Sequence, residues 1–253
     1  MARPALAVLE YHLVGYRRVW RGSVFSSFVL PVLILLGFGV SVGRYVGDSD
    51  LGVPYVDYIA PGVLAATLLQ VAAGECTWPV YAQKNWMRTY DAMRATPVRL
   101  ADIVTGHFLL VTLRLASVAV AFLLVMVAFG TVHSGWAVAA VPAGVLTGLA
   151  LATPVFAYSL VITSDTMFAL LYRFLVIPLT LFSGVFFEVS TMPFAARLFA
   201  YLSPLWHGVE LCRAATLGTA TAWGVWPHTA YLLLWSVGGF VLAQRVFRQQ
   251  MGD

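Results

Sequence analysis

The sequence predicts an all-α membrane protein of six transmembrane helices, and three observations carry that prediction. Of its 253 residues 60% are hydrophobic and 10% charged, where a soluble domain carries about 25% charged residues. The apolar residues gather into runs of about 20, which at ~1.5 Å per residue cross a ~30 Å hydrocarbon core. The basic residues cluster beside those runs, as topology signals do, and form no stripe interleaved with exposed aromatics of the kind nucleic acid requires.

The elements follow in order. Over residues 5–20, Leu6, Leu9, Leu13, Tyr16 and Trp20 share an arc of roughly 80° at 100° per residue, with Glu10, Arg17 and Arg18 to one side. This suits an N-terminal interfacial helix whose Arg17, Arg18 and Arg21 reach lipid phosphates; a frayed tail is the alternative. No small-residue cleavage site follows Arg3, so the mature chain is expected to keep this segment. The first span is expected at 22–42 with Pro31 inside it, then a short polar loop at 44–57. The second is expected at 58–81, with Ala60-Pro61-Gly62 near its start. Residues 83–106 hold Lys84, Arg88, Asp91, Arg94, Arg99 and Asp102 among Trp86, Met87, Tyr90, Met93 and Leu100. That is too charged to span and reads as a helical, membrane-proximal hairpin.

Three further spans are expected at 107–129, 136–163 and 167–187, with Pro142, Pro154 and Pro178 as kinks. Pro193 and Pro204 divide residues 188–221 into apolar pieces too short to cross, which predicts an external re-entrant helical pair. The sixth span is expected at 223–246. With the N-terminus inside, the cytoplasmic side holds eleven Lys and Arg (Arg3, Arg17, Arg18, Arg21, Lys84, Arg88, Arg94, Arg99, Arg173, Arg245, Arg248) against Arg44, Arg197 and Arg213 outside. That excess places both termini in the cytoplasm.

Chemistry-bearing motifs are sparse. A P-loop needs Gly-x-x-x-x-Gly-Lys-Ser/Thr, and the one lysine, Lys84, lies in Tyr81-Ala82-Gln83-Lys84-Asn85, so no standard nucleotide site is expected in this chain. His12, His107, His133, His207 and His228 are scattered, and Cys76 and Cys212 fall at different depths, so neither a metal site nor a disulfide is expected. Gly-x-Ser-x-Gly is absent, and a Ser-Lys dyad would need a lysine inside the spans. Two charges do fall within spans. Glu75 and Arg114 each lie seven residues from an expected cytoplasmic boundary, hence roughly 10 Å deep on antiparallel helices. They can form an intramembrane ion pair; otherwise Arg114 snorkels to the headgroups and Glu75 is protonated or faces water.

An ordered set of short motifs lies between residues 176 and 218: Val176-Ile177-Pro178, Phe182-Ser183-Gly184-Val185-Phe186-Phe187, Met192-Pro193, Ser203-Pro204-Leu205-Trp206-His207 and Glu210-Leu211-Cys212-Arg213. It resembles the last third of the ABC-2 type permeases. Tyr58-Ile59-Ala60-Pro61-Gly62-Val63-Leu64-Ala65, and Arg88-Thr89-Tyr90-Asp91-Ala92-Met93 followed by Leu100-Ala101-Asp102-Ile103-Val104-Thr105-Gly106, resemble the same family, more narrowly its nodulation protein J-like subgroup. The resemblance covers the chain from about residue 20. Phe187-Glu188 departs from the Phe-Pro of the family pattern, which bears on the geometry of that turn.

The resemblance implies a membrane-spanning permease of an ATP-driven exporter: two such subunits, identical or similar, around a path, and two copies of a separate P-loop ATPase that bind the ATP and Mg. It further implies that Trp86, Met87, Arg88, Tyr90, Asp91, Arg94, Leu100 and Asp102 form the coupling element pressed into the ATPase; a solvated interfacial loop is the alternative. Ser183, Gly184, Pro193, Pro204, His207, Glu210 and Arg213 are expected to form an external latch, with His207, Glu210 and Arg213 bonding one another at i, i+3 and i+6. The expected cargo is a lipid-linked, glycolipid or hydrophobic drug-like molecule, in a bacterial cytoplasmic membrane whose lipids surround the chain. An ATP-independent carrier or channel is the alternative function, and it would need more ionisable groups inside the spans. A structural or assembly protein is a third class.

Overall fold

The computed structural model describes residues 4–37 and 52–252, and every described element is helical. Among the described residues four helical stretches are long and apolar enough to cross a membrane: Tyr55–Trp86, Leu100–Ala128, Ala137–Val161 and Val225–Met251. Met167–Phe182 is a shorter apolar helix. The far end of the expected first span and most of the 44–57 loop lie outside the described residues, as does Arg3.

The first helix, α1 (Pro4–Ile34), differs from expectation. It runs unbroken through the point where an interfacial helix was to give way to a span. The change there is in polarity, from Arg17 to the apolar run that follows, and polarity alone does not interrupt a backbone ladder. α1 lies along α5 (Leu100–Ala128), and Val8 is seated against Gly106 at a position where a Cβ would meet it at 2.6 Å.

α2 (Tyr55–Cys76) stops at Thr77, whose φ and ψ of -99° and -104° leave the helical region. Pro79 is the cause: lacking an N–H, it removes the bond to the carbonyl four residues back. The chain resumes as α3 (Trp78–Tyr81) and a π-turn at Ala82–Trp86. The short α4 (Thr89–Arg94) follows, entered through Arg88 in the left-handed region at φ 52°. α5 then starts at Leu100, so Leu100 and Asp102 sit in the first turn of a membrane helix and not in a separate hairpin arm. Asp102 explains the early start, because its carboxylate accepts the Arg99 N–H at 3.3 Å and caps the helix.

The centre of the bundle is α6 (Ala140–Val161), packed against α2, α5, α10 (Pro204–Leu217) and α11 (Val225–Met251). Small residues allow these approaches. Gly148 of α6 meets Leu115 of α5, Gly208 of α10 meets Thr147, and Gly239 of α11 (Val225–Met251) meets Thr153 and Pro154. After α6 come α7 (Met167–Leu171), a π-turn at Tyr172–Val176 and α8 (Ile177–Phe182). This fifth apolar stretch ends at Ser183, short of the expected residue 187. Its successors α9 (Phe194–Leu202) and α10 (Pro204–Leu217) have 9 and 14 residues, each below spanning length. Pro193 precedes the first turn of α9 and Pro204 opens α10, positions that suit a residue without an N–H.

Candidate functional site

Three constellations carry the polar chemistry of the described residues. The first lies at the end of the bundle where α2, α6 and α11 terminate. Trp86 and Met87 are 60% and 70% exposed, large apolar side chains at a turn, with Tyr81 edge-on to Trp86 at 5.6 Å. Beside them Arg88 and Arg94 flank Asp91, at 3.3 Å and 4.0 Å. Tyr90 does the opposite of presenting a surface. It is fully buried, edge-on to Phe247 of α11 at 5.2 Å, so among the expected coupling residues it anchors the segment from within. Burial raises its phenol pKa, and its hydroxyl has no hydrogen-bond partner among the described residues.

Lys84 ties the same segment to two other helices. It donates to the Leu160 carbonyl at the end of α6 and, at 2.8 Å, to Gln250 Oε1 of α11, while Gln244 donates to the Ala101 carbonyl at 3.2 Å. The result is a rigid platform: a short helix held by a buried aromatic and a three-way lysine, with a tryptophan and a methionine projecting from it. In the sequence Lys84 reads as one charge of the 83–106 segment and of the cytoplasmic excess, and as a lysine that completes no nucleotide motif. Its cross-bundle role depends on contacts 76 and 166 residues away, which no local pattern announces.

The second constellation is within the bundle. Arg114 of α5 donates to Glu75 of α2, with side chains 18% and 16% exposed, and the guanidinium also lies 4.8 Å from the Tyr16 ring of α1. The structure thus brings together the two intramembrane charges. An aromatic face then supplies a second stabilising surface for the cation.

The third is at the opposite end, around α10. Ser183 and Ser203 share a hydrogen bond at 2.6 Å, and Ser203 caps α10 by accepting the Leu205 N–H at 3.1 Å. Gly184, at φ 76°, turns the chain so that its carbonyl accepts from Arg213 at 2.9 Å. Arg213 also lies 4.0 Å above the Tyr58 ring and 3.4 Å from Glu210, whose other oxygen accepts the Ala222 N–H at 3.1 Å. α10 is therefore bound to α2 and to the turn after α8.

His207 does not join this latch, contrary to the expected triplet. Positions i and i+6 are separated by about 240° on a helix, so His207 and Arg213 face different neighbours. His207 Nε2 donates to the Tyr201 carbonyl at 3.1 Å, which leaves Nδ1 to accept from His228 Nδ1 at 2.9 Å. Its ring stacks on Tyr231 at 3.9 Å, in a cluster that includes Trp206 and Trp223. His228 is 21 residues away on the last helix, and no spacing rule links the two. Asp57 and His133, 2.6 Å apart, are a further pair that the sequence reading does not anticipate.

Burial, reinforced by His228 and opposed by the Tyr201 carbonyl, pushes the His207 pKa down from 6.5 to about 4. An unfolded histidine titrates near 6.5, so between there and about 4 the unfolded chain binds the extra proton and the native one does not. Stability is expected to fall as pH drops through that window, by up to about 1.4 kcal/mol per pH unit for this group. Unfolding of the detergent-solubilised protein across pH 7 to 4 checks this. His207→Gln should flatten the slope; an unchanged slope would assign it to other groups.

These features define a class: an all-helical integral membrane protein with a central helix, one exposed helical turn at one end and a pair of short helices at the other. The chain belongs to the ABC-2 type transporter family, which it matches over residues 5–217. It is 26% identical to nodulation protein J of Rhizobium leguminosarum bv. viciae over 246 residues, covering 97% of this chain and 94% of that one. Nodulation protein J of Bradyrhizobium diazoefficiens is 28% identical over 249 residues, covering 97% and 93%. The inner membrane transport permease YadH of Escherichia coli is 26% identical over 241 residues, covering 88% and 89%. The nodulation protein J-like character is thus shared along nearly the whole chain, which is a transport permease of a family that works with an ATP-binding subunit.

Proposed function

We propose that this chain is the membrane-spanning subunit of an exporter that moves a lipid-linked, glycolipid or hydrophobic drug-like molecule out of the cytoplasm or inner leaflet. Two such subunits, identical or similar, frame the path in a bacterial cytoplasmic membrane. Two copies of a separate P-loop ATPase bind ATP and Mg and dock on the segment 83–106. One observation carries this reading: Trp86 and Met87 stand exposed on a turn that Tyr90 and Lys84 fix to α6 and α11. A push on that turn moves helices as bodies, which is how a packed interface transmits a stroke. Nodulation protein J and YadH, as a protein of nodulation and a transport permease by name, support transport; the amphiphilic cargo is inferred from the apolar interior and the family resemblance.

The test is co-expression with a separate P-loop ATPase that co-purifies with the permease. Arg88→Glu combined with Asp91→Arg preserves a local pair but reverses the surface, and is expected to lower cargo-coupled ATPase activity about tenfold or more while membrane insertion stays normal. The comparison with each single reversal separates docking from folding. Cross-links from positions 86–91 that reach lipid or solvent but never the ATPase would overturn the docking assignment.

Within this reading six spans place both termini in the cytoplasm and residues 188–221 outside as a re-entrant pair. Cysteines introduced at Ser190 and Thr219 are expected to react with an impermeant maleimide added to intact cells. Protection of either until the membrane is permeabilised would require another topology.

A further inference from the structure

Between α6 and the fifth apolar stretch the structure holds a groove of about 450 Å³, within the usual range of ligand sites, about 300–1,000 Å³. Leu171, Leu175 and Leu179 form one wall, and Pro154 and Val155 of α6 with Trp235 of α11 form the other. The groove stays open because α8 approaches the backbone of α9 more extensively than that of α6. Its two hydroxyls are already engaged, Tyr158 donating to the Met167 carbonyl at 3.3 Å and Ser203 sharing its bond with Ser183. An incoming group therefore meets hydrocarbon walls.

Two observations say what fills it. The walls belong to stretches apolar enough to cross or enter a membrane, and the residues next to them, Phe174 and Leu234, are 76% and 71% exposed. The groove thus continues into a bare apolar surface at membrane depth, where the neighbouring molecules are lipids. Beside it stands a charge. Arg173, on the π-turn between Leu171 and Leu175, is exposed and has no hydrogen bond or ion pair among the described residues. It lies six residues above the start of α7, roughly 9 Å at ~1.5 Å per residue, a depth from which arginine reaches the headgroup layer. That end of α7 is the end of the Trp86 turn, since Phe168 packs on Trp78 and Tyr81 at 4.9 Å and 6.0 Å.

We infer that this groove holds one acyl chain of a membrane phospholipid whose phosphate is bound by Arg173, in the leaflet on the side of the Trp86 turn. The chain fills the apolar walls, and the phosphate supplies the anion that the guanidinium lacks. A neutral lipid would fill the walls and leave Arg173 unpaired. A second copy of this chain would have to bring a carboxylate to Arg173 within the membrane, where burying one is costly. The site goes beyond the exporter reading, because a lipid of the surrounding bilayer occupies it without ATPase or cargo.

The experiment uses the purified full-length permease alone, in maltoside micelles that contain no phosphate. It is titrated with phosphatidylglycerol carrying a diazirine at mid-chain, or with a diacylglycerol carrying the same chain, then irradiated, and adducts are mapped by mass spectrometry. Adducts are expected to concentrate on residues 154–158 and 171–179, to saturate, and to need less phosphatidylglycerol than diacylglycerol. Arg173→Gln removes an exposed, unpartnered charge and should raise the half-saturating phosphatidylglycerol about fivefold, the worth of one basic side chain at an anionic surface. Diacylglycerol labelling should not respond to that change. Leu175→Trp fills the groove from a partly exposed position and should remove these adducts with either lipid, whereas Leu234→Trp should not.

Labelling that never saturates and spreads equally over residues 233–242 of α11 would reduce the groove to ordinary lipid contact and overturn the site. Equal half-saturation by the two lipids, or a wild-type value in Arg173→Gln, would overturn the phosphate assignment and with it the proposal. A photoreactive side chain at position 175 that captures a second permease instead of lipid would give the groove to a subunit contact. None of these results would touch the transport assignment.

Discussion

Glu75→Gln is expected to destabilise the permease by up to about 3 kcal/mol, because it removes the carboxylate to which Arg114 donates inside the bundle. Both side chains are more than four-fifths buried, so solvent screens the pair weakly. The Tyr16 ring continues to face the guanidinium and offsets part of the loss, about 0.5–2 kcal/mol for a partly desolvated cation–π contact. Arg114→Gln should also be harmful, since it leaves Glu75 to be neutralised or hydrated at depth. The double variant is the informative one. Two neutral amides of similar size remain able to bond each other, so its loss should fall short of the summed single losses by at least about 1 kcal/mol. Equilibrium unfolding in mixed micelles measures the cycle, and strictly additive losses would mean that the two charges act independently.

Gly62→Ala is expected to cost about 1–3 kcal/mol despite being the smallest of changes, and Gly62→Val more. A Cβ on Gly62 would lie 2.9 Å from the Val185 carbonyl oxygen and 3.0 Å from its Cα. These are backbone atoms and cannot turn aside as a side-chain tip can. The Val185 backbone is itself held, since the preceding Gly184 occupies a left-handed conformation and receives the Arg213 hydrogen bond. Gly74→Ala on the same helix is the control. There the nearest neighbour would be the Tyr172 hydroxyl at 3.8 Å, ordinary contact, so the better helix propensity of alanine should leave stability unchanged or raise it by up to about 1 kcal/mol. Thermal unfolding of both variants decides the matter, and equal behaviour would show that α2 can move away from the turn after α8.

The Gly62 contact also bears on what the sequence makes legible. Ala60-Pro61-Gly62 stands out as a motif in α2, but the partner that makes its glycine necessary is 123 positions later. The same holds for Tyr90, which a linear reading groups with Trp86 and Met87 because all three are aromatic or apolar residues in a charged segment. Its position on α4 turns it inward to Phe247, whereas theirs turns them out. The unbroken course of α1 was hidden for another reason, namely that hydropathy reports the depth of a residue and not the continuity of its backbone.

What the sequence by itself determined is therefore the local and the one-dimensional: helical spans, their order, the charged turn between α2 and α5, and the short proline-bounded helices before α11. Apolar run length, charge and proline act on the residues that carry them, so a single chain displays their effects. Equal depth and i, i+3 spacing already allowed the Glu75–Arg114 and Glu210–Arg213 pairs, but most other meetings of side chains were decided only by the tertiary structure. His207 finds His228, Arg213 finds Gly184 and Tyr58, and Lys84 finds Leu160 and Gln250. Each of these depends on the rotational phase of one helix against another. That phase is set by the packing of small residues such as Gly148, Gly208 and Gly239 along α5, α6, α10 and α11, and not by any spacing within one helix.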